Sequence, residues 1–243
     1  MSGAFLWGLF ASSSLIMGGA LALLLPIRER LLGLIMAFGA GVLISAVAYE
    51  LVAEAFETSA WHGSLGLGLS AGALTFFLGD AVIDRMGGDQ RKSMRRTPGA
   101  GSALAIVLGI VLDGIPESAV IGVGLLNGTG VSVAVIAAVF LSNLPEALAA
   151  TTGLKAGGWR SNRIIGLWVL VAAVSGLASF AGYTVFDSAG PDALAFVLAF
   201  AGGAILTMLA DTMMPEAFEH GGKLVGLLTT LGFGLAFALS MLE

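Results

Sequence analysis

The sequence predicts an all-α membrane protein of eight transmembrane helices built with inverted repeats. Three observations carry that expectation. Of 243 residues, 57% are hydrophobic and 11% charged, where a soluble domain carries roughly 25% charged residues. Polar side chains cannot coat such a chain, so lipid must be the solvent for most of its surface. Apolar stretches long enough to span run at 4–25, 31–56, 64–84, 102–126, 130–154, 163–186, 192–218 and 223–242. Each has about 20 residues or more, the length a bilayer requires. Finally, the basic residues fall on one face when these spans are threaded in order.

Span 1 opens with MSGAFLWGLF, which has no basic n-region, so a cleaved signal peptide is not expected. Arg28 and Arg30 follow it. Span 2 ends in an acidic stretch, and Trp61 and His62 lie in the next loop. Span 3 closes on Asp80 and Asp84. The longest loop, 85–101, holds Arg85, Arg91, Lys92, Arg95 and Arg96. Spans 4 and 5 are separated by a short neutral loop. Lys155, Arg160 and Arg163 come before the body of span 6, and Lys223 separates spans 7 and 8. These are all 11 Lys and Arg of the chain. Eight spans put every one of them on the same face, which the positive-inside rule makes cytoplasmic. Both termini are then extracytoplasmic, and residues 1–243 form a single transmembrane domain in the cell (inner or plasma) membrane.

The loop 85–101 reads as a flexible, basic cytoplasmic segment. It has no aromatic residue for stacking, so nucleic acid is not an expected partner. Gly and Pro inside the spans do not oppose helix, because neighbouring helices satisfy the freed backbone groups. The 36 glycines suit close helix packing in lipid. Cysteine is absent, which excludes disulfides, thiolate metal ligands and Cys nucleophiles.

Two pairs of spans resemble one another. Shifting span 2 by 162 residues aligns Gly41 with Gly203, Ala48 with Ala210, and EAFE at 54–57 with EAFE at 216–219. Spans 4 and 5 share a second pattern, Asp113-Gly114-Ile115-Pro116-Glu117 against Ser142-Asn143-Leu144-Pro145-Glu146. The threading sends the members of each pair in opposite directions, the design of many secondary transporters.

The Pro-Glu motifs carry chemistry. Each Pro lacks an N–H and displaces the carbonyl four residues back, here Leu112 and Leu141. Asp113 shares a helix face with Glu117, and Ser142 with Glu146, at i, i+4; Asn143 lies at i, i+3 from Glu146. Two facing kinked helices would gather Asp113, Glu117, Ser142, Asn143 and Glu146 at mid-membrane depth. An ion at the bilayer centre costs at least ~2.5–3.5 kcal/mol per charge. Protonation, water or a bound cation lowers that cost, and a divalent ion neutralises two carboxylates at once.

At these residues the chain resembles the ZIP (Zrt-/Irt-like) family of divalent metal transporters. The resemblance implies a 3+2+3 arrangement, with two inverted three-helix units around spans 4 and 5, and transport of metal toward the cytoplasm by alternating access. Glu117 and Glu146 would be the central carboxylates. Asp113 stands where the family usually has His and Gly114 where it has Asn, so one side-chain ligand is missing. Span 6 offers only Ser175 and Ser179 where two-metal members place a Glu. An all-oxygen set suits harder ions such as Mn, yet also takes Zn, Fe or Cd. The metal is cargo, and the expected partners are the bilayer, the metal ion and a second copy in a homodimer.

Further acids extend the candidate pathway. Glu50 and Glu54, beside Tyr49, would form an entrance that concentrates cations. Asp211, Glu216 and His220 would line the exit, with Asp211 deepest. Two other classes stay open at this point: an intramembrane enzyme using the Glu pair as acid and base, and a degenerate ZIP-like regulatory or interaction subunit. No phosphate loop, nucleophile elbow or HExxH motif is present, so enzymatic activity is not expected.

Overall fold

The computed structural model describes residues 2–61, 63–88, 100–127 and 132–242. His62 and most of the basic loop, including Arg91, Lys92, Arg95 and Arg96, lie outside the described residues. All the long elements are helices. α1 is Ser2–Leu24 and α2 is Glu29–Thr58. α3 is Gly63–Ile83, α4 Ala100–Gly124, α5 Val133–Ala156 and α6 Ser161–Phe186. α7 starts as Pro191–Met208, passes through a π segment at Leu209–Met213 and continues as Met214–Gly221. α8 is Val225–Ser240.

Among the described residues, seven helical runs are long and apolar enough to cross a membrane, the last being Pro191–Ser240 with 50 residues. That run would be about 75 Å long if straight, more than twice the ~30 Å hydrocarbon core. It bends instead at Gly222, whose φ of 64° closes α7 before α8 begins. Neighbour contacts fix the directions of the two halves. Along α2, Gly33 faces Gly221, Val47 faces Gly202, and Ser59 bonds Asp192, so α7 runs antiparallel to α2. Gly41 abuts Thr229, and Tyr49 stacks on Phe237, so α8 runs parallel to α2. The 50-residue run is therefore a helical hairpin.

The same close approach occurs twice. Gly41 of α2 lies against the Thr229 carbonyl of α8, and Gly203 of α7 lies against the Leu69 carbonyl of α3. The Phe38 carbonyl abuts Gly232, and the Phe200 carbonyl abuts Gly72. A Cβ at any of these glycines would collide with backbone, so only glycine lets the axes come this near. The π segments also match: Val47–Ala53 in α2 and Leu209–Met213 in α7 occupy equivalent places.

The outside of the bundle is apolar. Leu6, Phe10, Leu74, Leu78, Leu170, Leu177, Leu227 and Leu231 are all exposed, as lipid-facing positions should be. The core has two large clusters and a small third one of Ala11, Ile121, Ile136 and Val139. One cluster joins α2, α7 and α8 with Phe76 of α3 and parts of α4 and α5. Another joins α1, α4, α5 and α6 around Trp168, whose indole N–H donates to Thr151 at 2.8 Å. α4 and α5 contribute to both and stand between them.

Candidate functional site

The bundle inverts the usual placement of polarity. Asp113, Glu117, Ser142, Asn143 and Glu146 are all at most 3% exposed, within a molecule whose exterior is hydrocarbon. Pro116 and Pro145 sit inside helices that continue through them. The Leu141 carbonyl, which Pro145 leaves without its helical donor, lies against Gly39 of α2. Small residues let α2 close over this loosened turn.

One contact joins the two motifs across helices. The Ser142 hydroxyl is 3.4 Å from each carboxylate oxygen of Glu117. It is also 3.1 Å from the Val139 carbonyl, so its single proton chooses between helix backbone and carboxylate. Ser142 and Glu117 come from motifs related by the repeat, so the two motifs do face each other. Asp113 lies one turn before Glu117, and Glu146 one turn after Ser142.

Among the described residues, no three His, Asp or Glu side chains lie close enough to hold one metal ion. The carboxylates of Asp113, Glu117 and Glu146 therefore do not converge on one point. The spacing explains this: residues at i, i+4 have Cβ atoms about 5–6 Å apart. Asp113 and Glu117 share an ion only if both lean toward it. Ser175 of α6 faces Gly114, beside Asp113, and offers a further oxygen. Ser179 instead donates to the Ala4 carbonyl at 2.8 Å and holds the start of α1.

Of the outlying acids, Glu50 accepts from Ser240 of α8. Glu54 is 3.5 Å from the Thr58 hydroxyl, one turn along its own helix. Glu117 borders a small cavity otherwise lined by apolar side chains, among them Leu43, Val47, Leu51, Val120, Val139 and Ile205. Asp211, expected to be the deepest exit residue, is exposed within its π segment. Glu216 and His220 are adjacent, 3.3 Å apart.

Sequence reasoning missed Glu29, which reaches the other side of the His220 ring. The only signal was a lone acid between Arg28 and Arg30 at the start of α2, ordinary for a loop edge. It also missed the cavity beside Glu117, because a wall of Leu and Val looks like core in any helix. A comparison of the chain with models of known protein families finds no match. A comparison with curated proteins finds none either.

Proposed function

We propose that the chain is a divalent metal transporter of the ZIP type, with eight spans in a 3+2+3 arrangement and both termini outside. The observation that carries this reading is the buried set Asp113, Glu117, Ser142, Asn143 and Glu146, linked through Ser142 and Glu117. A lipid-clad bundle keeps such groups only at a cost, and intramembrane ionisable residues mark ion pathways. The hairpin at Gly222 and the doubled glycine contacts support an inverted repeat around α4 and α5, the architecture of alternating access.

In this mechanism a cation enters from the face opposite the basic loops. It passes the cavity beside Glu117 when the two large core clusters shift relative to one another. Glu117, Glu146 and Asp113 then lean inward and replace part of its hydration shell, with Asn143 and Ser142 completing the oxygens. Carboxylate and amide oxygens accept Mn, Fe, Zn or Cd, so the cargo class is a divalent metal. Closure of the outer side and opening of the inner side releases the ion past Glu216 to the cytoplasm.

Uptake by protein reconstituted in liposomes tests the proposal, with Mn, Fe(II), Co, Zn and Cd as cargo. Wild-type flux lost in both Glu117→Ala and Glu146→Ala is the expected result. A second reading, a subunit without transport, draws on the lack of convergence of the three acids. It would be favoured by wild-type protein that is folded yet neither binds nor moves any of these metals.

A further inference from the structure

The two EAFE segments occupy equivalent places in the repeat but end differently. In α2, Glu54 faces Thr58 one turn later, at 3.5 Å. In α7, Glu216 faces His220 one turn later, at 3.3 Å. The acid that opens the opposing helix also differs in use. Asp192, at the start of α7, accepts from the Ser59 hydroxyl and the Trp61 backbone N–H. Glu29, at the start of α2, instead points a carboxylate oxygen at His220 Nδ1, 3.8 Å away. A hydroxyl satisfies the helix end in one repeat, so packing alone does not call for an imidazole in the other.

The imidazole is unusually placed. The His220 side chain is fully buried, and neither ring nitrogen makes a hydrogen bond, though each faces a carboxylate. Glu29 remains 41% exposed and Glu216 13%, so partly exposed carboxylates lead from solvent to the buried pair of His220 Nε2 and the Glu216 oxygen. From these observations we propose that His220 Nε2 and Glu216 form a divalent-metal site at the basic end of the bundle, with Glu29 orienting the ring through Nδ1. The geometry fits. Ligand atoms 3.3 Å apart, each bonded at roughly 2.1 Å, subtend about 104° at the ion, near the tetrahedral angle. A carboxylate on the distal ring nitrogen fixes the tautomer and raises ligand basicity.

Two protein ligands leave the remaining positions to water, so the site binds and lets go. Its nitrogen donor favours borderline ions such as Zn and Co over Mn and Mg. Its role as the last stop before release rests on the transport reading; binding itself does not.

The test separates the two. Co(II) is titrated into purified protein carrying Glu117→Ala and Glu146→Ala, so that the central acids contribute nothing, and its visible absorption is recorded. The site predicts a saturable Co(II) band that is lost in His220→Thr, a change for which Thr58 shows that the repeat has room. It further predicts affinity lowered about 10- to 100-fold by Glu29→Gln. No saturable band in the Glu117→Ala, Glu146→Ala protein would overturn the proposal. So would a band unchanged by His220→Thr in protein with native helicity and elution. Liposome flux in the otherwise wild-type chain reports separately on transport.

Discussion

The Ser142 hydroxyl lies 3.4 Å from both carboxylate oxygens of Glu117, and it comes from the helix that carries the other Pro-Glu motif. A hydroxyl equidistant from two oxygens steadies the carboxylate without committing either lone pair. Removing it takes one hydroxyl contact from Glu117 and, on the proposed reading, one oxygen from the metal shell. Loss of such a group is expected to cost at least as much as loss of an outer-shell partner, roughly 10- to 100-fold in affinity or activity. Ser142→Ala is therefore expected to raise the half-saturating metal concentration for liposome uptake by about tenfold, with folding preserved. Uptake kinetics indistinguishable from wild type would remove Ser142 from the site.

Asp113 supplies oxygen where an imidazole would favour zinc. Nitrogen donors shift preference toward Zn, while carboxylates tolerate Mn. Asp113→His is expected to raise the ratio of Zn to Mn uptake severalfold in competition assays. An unchanged ratio would place Asp113 outside the coordination shell, as a group that merely shares the helix face of Glu117.

Much of the fold was legible because a bilayer imposes simple rules. Apolar run lengths lie within a few residues of the long helices among the described residues, including the break near Lys223 that falls at Gly222. The matching of Gly41 with Gly203 anticipated the paired approaches to Thr229 and Leu69. Side-chain direction was harder. Periodicity assigned Ser142 to the face of Glu146 on its own helix, but only packing reveals its contact with Glu117. Glu50 and Asp211 both fall in π segments, where Glu50 accepts from Ser240 and Asp211 is exposed. A π segment adds one residue to a turn and shifts every later side chain, and no residue preference announces it.

The glycine contacts make a stability prediction. A Cβ at Gly41 would strike the Thr229 carbonyl, and one at Gly203 the Leu69 carbonyl. Backbone cannot yield as a side chain does, so Gly41→Val and Gly203→Val are expected to cost at least ~1–3 kcal/mol and to lower the thermal midpoint in detergent. At Gly226, where a Cβ meets nothing within 4 Å, Ala should be neutral or stabilise by roughly 0.5–1 kcal/mol. Equal midpoints for all three variants would contradict the close packing.

The absence of native cysteine allows the threading to be mapped with single-cysteine variants. Ser188 lies exposed between α6 and α7, and Leu242 beyond the end of α8. Because α7 and α8 form a hairpin, Ser188→Cys and Leu242→Cys should both react with a membrane-impermeant thiol reagent in intact cells. Lys223→Cys should react only after permeabilisation. Labelling of Ser188→Cys and Leu242→Cys from opposite sides would mean that 191–240 crosses once.

Anomalous diffraction from crystals grown with Cd or Zn tests the central claim most directly. The account predicts a metal peak between α4 and α5, with carboxylate oxygens of Glu117 and Glu146 drawn to roughly 2.0–2.6 Å from one ion or from two adjacent ions. Peaks confined to other parts of the molecule, with Glu117 and Glu146 too far apart to touch one ion or adjacent ions, would contradict it.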